Sequence, residues 1–144
     1  MRVASPQDLA TIVALDQHTF PDHWSESQWL TYLTQSNRYL VTLIGDEEPI
    51  GYAIFSILFD EAELLRIGVL PQLQGAGIGY RLLQSSINAL HELGTKRLLL
   101  EVRKSNSAAI TLYKKLGFTE DGVRKDYYPL PQGSGREDAI LMSK

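Results

Sequence analysis

Residues 71 to 79, Pro-Gln-Leu-Gln-Gly-Ala-Gly-Ile-Gly, stand between an apolar run and an amphipathic segment. They constrain the chain more than any other stretch. Three glycines at a strand-to-helix turn free consecutive backbone N–H groups at the positive end of the helix that follows. A turn of that kind suits a pyrophosphate, so the question becomes which diphosphate-bearing ligand the chain holds. On either side strand and helix signals alternate, with no repeat, low-complexity run or linker-like shift. That pattern predicts one mixed α/β domain over residues 1–144.

The elements follow from periodicity and caps. A short strand at residues 2–4 leads into Ser5-Pro6, a helix start with proline in the first turn. Leu9, Ile12, Val13 and Leu15 give the first helix an apolar face, and Ser25 opens a second helix carrying Trp29, Leu30 and Leu33. Strands are expected at 38–44 and 49–58, joined by Gly45-Asp46-Glu47-Glu48, and at 63–70. A long helix spans 77–93 with Ile78, Leu82, Leu83, Ile87 and Leu90 near the 3.6 period, and Gly94 stops it. A strand at 96–103 and a short helix at 106–116, ended by Gly117, come next. Strands at 118–123 and 137–142 flank a turn-rich segment around Gln132-Gly133-Ser134-Gly135.

Bulk composition excludes several classes. The chain has 144 residues, 44% hydrophobic and 22% charged, as a soluble globular domain does. A formal charge of −3 argues against broad nucleic-acid binding, which needs a basic footprint. No run of 18 apolar residues and no basic-then-apolar leader is present, so no membrane association and a cytoplasmic location are expected. There is no cysteine, which removes disulfides, thiolate metal sites and a cysteine nucleophile. His18, His23 and His91 are too scattered for a metal motif, and no metal is expected.

Three ligand readings compete for the glycine turn. A P-loop needs Gly-x-x-x-x-Gly-Lys-Ser/Thr, which the chain lacks. A dinucleotide fingerprint needs Gly-x-Gly-x-x-Gly after an early first strand, yet the sixth position from Gly75 is Tyr80 and the turn lies mid-chain. The third pattern, Gln-x-x-Gly-x-Gly, is met by Gln74-Gly75-Ala76-Gly77-Ile78-Gly79. A tight turn with no ligand stays open beside it.

Two side chains in the second half bear on chemistry. Alternation in Arg97-Leu98-Leu99-Leu100-Glu101-Val102-Arg103 puts Glu101 with Leu99 and Arg103, opposite Leu98, Leu100 and Val102. Glu101 is either a solvated carboxylate paired to Arg103 or a general base in a cleft, where partial burial would raise its pKa. Tyr113 shares a helical face with Ala109 and Leu116, so it is either a core aromatic with a wet hydroxyl or a proton donor. Asp138 lies on one strand face with Ile140 and Met142, and an inward carboxylate there calls for a partner such as Arg136.

The Gln-x-x-Gly-x-Gly turn resembles the acetyl-CoA pyrophosphate motif of the GNAT (Gcn5-related) N-acetyltransferases. Leu100-Glu101-Val102-Arg103, Ser105-Asn106 with Ala108-Ala109, and Leu112-Tyr113-Lys114-Lys115-Leu116-Gly117-Phe118 resemble its RimI-type branch. So do Asp60-Glu61-Ala62, Tyr127-Tyr128-Pro129 and Gly135-Arg136-Glu137-Asp138-Ala139-Ile140. The resemblance is dense from about residue 60 to 142 and thin before it. It implies a central mixed, mostly antiparallel sheet flanked by about four helices, with acetyl-CoA as co-substrate. It also implies acetylation of the N-terminal alanine of a small-subunit ribosomal protein. By position, Glu101 falls on that branch's general base and Tyr113 on its general acid. Gln74, Gly75, Ala76, Gly77, Ile78, Gly79 and Tyr80 fall on the pyrophosphate loop, Ile67, Gly68 and Val69 on the strand that pairs with pantetheine, and Asn106 on a further CoA contact.

Trp24-Ser25 resembles the branch's Phe-Pro-Trp-Ser loop on the peptide side, but here Asp22-His23 separates Phe20-Pro21 from Trp24-Ser25. Tyr127, Arg136 and Asp138 are further candidates to grip the peptide. Without a cysteine, direct transfer in a ternary complex is expected. Other acceptors (a free amino acid, a polyamine, an antibiotic or a lysine) and a non-catalytic CoA-binding module remain alternatives.

Overall fold

A computed structural model describes residues 1–130 and 133–144. Gln132, placed above in a turn-rich segment, lies outside the described residues. The chain divides into two compact units, Met1–Lys96 and Arg97–Lys144. As expected of an α/β chain, it carries seven strands and four α-helices among the described residues.

In the first unit, β1 (Arg2–Val3), β2 (Tyr39–Ile44), β3 (Gly51–Leu58) and β4 (Glu61–Val69) pair antiparallel in that order. Helices α1 (Leu9–Thr19) and α2 (Glu26–Thr34) cover one face and α3 (Ile78–Glu92) the other. The division follows from strand alternation. Val41 and Leu43 of β2 join Ile12, Leu15, Trp29 and Leu33 in one buried cluster. Thr42, between them, turns the other way and its hydroxyl lies 2.7 Å from that of Ser86 on α3. Caps set the helix starts: Ser25 accepts from the Gln28 N–H at 3.1 Å while Gln28 Oε1 accepts from the Ser25 N–H at 3.0 Å, a complete capping box. Gly94 ends α3 in the left-handed region at φ 99°.

β4 starts two residues earlier than expected and contains a bulge. Phe55 pairs with Leu64 but Ile54 pairs with Arg66, leaving Leu65 as the extra residue. The bulge changes which face the following residues present.

In the second unit, β5 (Arg97–Arg103), β7 (Arg136–Ser143) and β6 (Thr119–Pro129) form an antiparallel sheet in that order. Leu98, Leu100 and Val102 are buried, as alternation predicts, with Ile140 and Met142 opposite Val102 and Leu100. Helix α4 (Ser107–Lys115) is capped by Asn106, whose side chain accepts from the Ala109 N–H at 3.2 Å. β6 continues six residues beyond the end expected at 123. Between Arg124↔Ala139 and Tyr128↔Glu137 its register shifts, with Asp126 in the left-handed region at φ 51°. Its charged sequence hid the strand, because β6 lies at the end of this three-stranded order and is largely exposed.

Candidate active site

The glycine turn is built by backbone geometry. β4 ends at Val69, a 3-10 turn covers Pro71–Leu73, and the Gln74 side chain donates to the Val69 carbonyl at 3.1 Å, tying the loop back to the strand. Gly75 and Gly77 take φ of 86° and 79°, and no atom lies within 4 Å of where a Cβ would be at either. Their need for glycine is therefore conformational, and the space above them is open. The first turn-closing bond of α3 runs from the Arg81 N–H to the Gly77 carbonyl. The amides of Gly77, Ile78, Gly79 and Tyr80 thus precede the helix ladder and have no intrahelical acceptor. The first turn of α3 holds no acidic side chain, so a place that favours negative charge is left for an anion. These features fit a diphosphate.

The strand before the loop is shaped from behind. A Cβ on Gly68 would lie 2.7 Å from Cε1 of Tyr52, so Gly68 makes room for that ring. Tyr52 is buried and its hydroxyl donates to Asp16 at 2.5 Å. Asp16 is 0% exposed and accepts further bonds from the Trp24 N–H (2.7 Å), Arg66 (2.9 Å) and Trp29 Nε1 (3.0 Å). Burial pushes its carboxyl up, but the bonds from Tyr52, Trp24, Trp29 and Arg66 outweigh it and hold the pKa below the usual carboxylate range. The Trp24 ring packs 5.2 Å from both Trp29 and Tyr32. Sequence reasoning missed Asp16, Tyr52 and Arg66. Their only local signal was an aspartate inside an apolar helix face and an arginine inside an apolar strand.

In the second unit Glu101 sits on the partly exposed face of β5 with its side chain 21% exposed. Its partner is Arg124 on β6, at 3.3 Å, and not the Arg103 expected from the strand alone. Arg103 instead pairs with Glu137 at 3.0 Å and lies over the Tyr128 ring at 4.6 Å. Arg124 lies over the Tyr127 ring at 4.7 Å. Burial first, then the negative charge of Glu101, pushes the Tyr128 hydroxyl up to about 12. Tyr113 is 6% exposed and meets Phe118 edge-on at 6.0 Å. Burial, then Tyr128, pushes it up to about 12 as well. Tyr128 therefore stands near both Tyr113 and Glu101, which the Tyr-Tyr-Pro motif alone could not single out.

The remaining peptide-side candidates, Tyr127 on β6 and Arg136 and Asp138 on β7, meet at the irregular part of the β6–β7 pairing. Arg136 donates to the Tyr127 carbonyl at 3.1 Å, and Asp138 accepts from the Asp126 N–H at 3.0 Å. The expected Asp138–Arg136 pair is thus replaced by two side-chain-to-backbone bonds that hold the register shift, where a polar side chain gains more from an otherwise unpaired backbone group. The tyrosine rings of 127 and 128 lie 4.9 Å apart.

The model of the acetyltransferase (GNAT) family matches residues 8–118. The chain is 42% identical over 144 residues to the [ribosomal protein bS18]-alanine N-acetyltransferase of Salmonella typhimurium, covering 98% of this chain and 93% of that protein. It is 49% identical over 110 residues to the protein of that name from Haemophilus influenzae, covering 76% and 74% respectively. The crystal structure of the ribosomal-protein-S18-alanine N-acetyltransferase from Escherichia coli superposes with a TM-score of 0.87 at 38% identity, covering 99% of this chain and 91% of that one.

Proposed function

The chain belongs to the GNAT acetyltransferase family, and on that premise we propose that it acetylates the N-terminal α-amine of a protein. The acceptor is the N-terminal alanine of ribosomal protein bS18, and acetyl-CoA is the donor. The observation that carries this reading is the 42% identity to a bS18-alanine N-acetyltransferase over 98% of this chain. Residues 1–144 act as one GNAT domain, a reading supported by a family match that runs through residues of both units.

Bound acetyl-CoA supplies an activated acetyl thioester. The amides of residues 75–80 hold its diphosphate at the start of α3, Gln74 fixes the loop, residues 67–69 offer β4 backbone to its arm, and Asn106 adds a further contact. An α-amine has a reference pKa of about 7.7–8.0 against about 10.4 for lysine, so deprotonating it at neutral pH costs about 3–4 kcal/mol less. One carboxylate suffices for that task. Glu101 accepts the proton the amine loses as its nitrogen bonds to the acetyl carbon. Tyr113 faces the opposite demand. At about 12 its hydroxyl stays protonated at every physiological pH, the form a donor needs. Full transfer to a free thiolate of pKa about 8.5 would run uphill by roughly 5 kcal/mol. Tyr113 therefore acts by hydrogen-bonding the sulfur while the carbon–sulfur bond breaks. Trp24, Tyr127, Arg136 and Asp138 shape or support the acceptor side.

The test uses peptides that begin with alanine and contain internal lysines, with the α-amine free or blocked, incubated with acetyl-CoA and mapped by mass spectrometry. Label on the free α-amine and none on the blocked peptide is expected. Label confined to lysine, or none at all, would overturn the reading.

A further inference from the structure

The fork of Arg66 is shared between two obligations. One nitrogen donates to buried Asp16 at 2.9 Å, while the other reaches the Asp22 carbonyl at 3.2 Å and its carboxylate at 3.4 Å. The guanidinium carbon also lies over two rings, 4.5 Å from the Phe20 centroid and 4.1 Å from that of Trp24. Apart from the Asp16 bond, each of these contacts goes to residues 20–24. The same Asp16 carboxylate takes the Trp24 N–H at 2.7 Å. Asp16 and Arg66, bonded to each other, therefore both hold the short segment that connects α1 and α2.

Core stability alone does not require this. Asp16 already accepts from Tyr52, Trp29 and Trp24, and the Asp22 side chain is 75% exposed. Residues 21–23 are exposed, while ordering them costs conformational entropy. The β4 bulge is part of the arrangement. Ile54, opposite Arg66, faces the α1–α2 core, whereas the preceding pair is Phe55 with Leu64. Were Leu65 paired regularly instead of bulged, alternation would turn Arg66 to the face of Leu64, away from Asp16.

We propose that Arg66 is a positioning residue for the acceptor peptide. Through Asp16 and Asp22 it fixes the two extra residues Asp22-His23 and the Trp24 ring against β4, presetting the wall on which the peptide N-terminus binds. This rests on the proposed N-terminal acetyltransferase reading, in which Trp24 lies on the acceptor side. A planar fork that meets two rings while donating to two acceptors is a task lysine cannot perform, although lysine still supplies a cation to Asp16. Arg66→Lys therefore separates the loop clamp from the buried charge.

The experiment measures kcat, KM for an alanine-starting peptide, KM for acetyl-CoA and Tm in the wild type, Arg66→Lys and Asp22→Ala. Arg66→Lys is expected to raise the peptide KM about tenfold, with acetyl-CoA KM within about twofold and Tm within a few degrees. Asp22→Ala, at an exposed position, is expected to raise the peptide KM about two- to threefold at unchanged Tm. Acrylamide quenching of tryptophan fluorescence should increase in Arg66→Lys as Trp24 loosens. A peptide KM within twofold of wild type in Arg66→Lys, or equal rises in both KM values, overturns the role of Arg66 while leaving the parent reading intact. A wild type that acetylates no free α-amine brings down the parent reading, and the positioning role with it.

Discussion

Glu101 and Gly68 show how single side chains are committed by what surrounds them. Glu101 rests against Arg124 at 3.3 Å, a half-exposed pair that screening keeps weak, so an approaching amine can take the arginine's place. Glu101→Gln should keep the fold and lower kcat for the alanine peptide about 10²- to 10⁴-fold, with part of the loss recovered at high pH where more amine is already neutral. Full kcat at every pH in that variant would remove Glu101 from the role of base. Gly68 is a packing requirement first, since a Cβ there would sit 2.7 Å from the Tyr52 ring and 3.0 Å from Thr19 Cγ2. Gly68→Ala should cost about 1–3 kcal/mol in urea unfolding. An unchanged midpoint would mean that Tyr52 moves aside freely, and with it the hydroxyl that holds Asp16.

Among the elements, the N-terminal segment and α1 carry carboxylates that tie folding to pH. A bond from Arg2 holds Asp8 down at about 2, and Asp16 is held below its usual value by the donors around it. Both pKa values are depressed in the folded chain, so their contribution is complete above about pH 4 and is lost as pH falls through the folded values. Asp8→Asn should lower the urea midpoint at pH 7, and the gap should shrink as pH falls toward and below 2. The difference should be under about 1 kcal/mol, because the Arg2 partner is 57% exposed. A gap that widened on acidification would contradict that sign.

The same elements show what the sequence made legible. Ser25, Asn106, Gly94 and Gly117 marked helix ends correctly because caps are local chemistry. The alternation of β5 placed Leu98, Leu100 and Val102 inward for the same reason. The end of β6 escaped notice, since Lys125 and Asp126 belong to an exposed strand with one residue in the left-handed region.

Over the whole molecule, legibility falls with distance along the chain. The glycine turn is nine consecutive residues, and its place between β4 and α3 with left-handed glycines was legible in the letters alone. The Asp16–Arg66 pair joins residues 50 apart and depends on a bulge that changes strand parity, which no periodicity reveals. The Glu101–Arg124 pair depends on the order β5-β7-β6, so an intrastrand partner was the natural but wrong expectation.

The central claim, acetyl transfer to an N-terminal alanine, is tested most directly on the intact acceptor. Unacetylated bS18 is incubated with isotopically labelled acetyl-CoA and the protein, and the label is located by whole-protein mass spectrometry. One acetyl group on the α-nitrogen of the N-terminal alanine, appearing at least about 100-fold more slowly with Glu101→Gln, is the expected result. Label on lysine side chains, or an unmodified N-terminus despite turnover of acetyl-CoA with another amine, would contradict it.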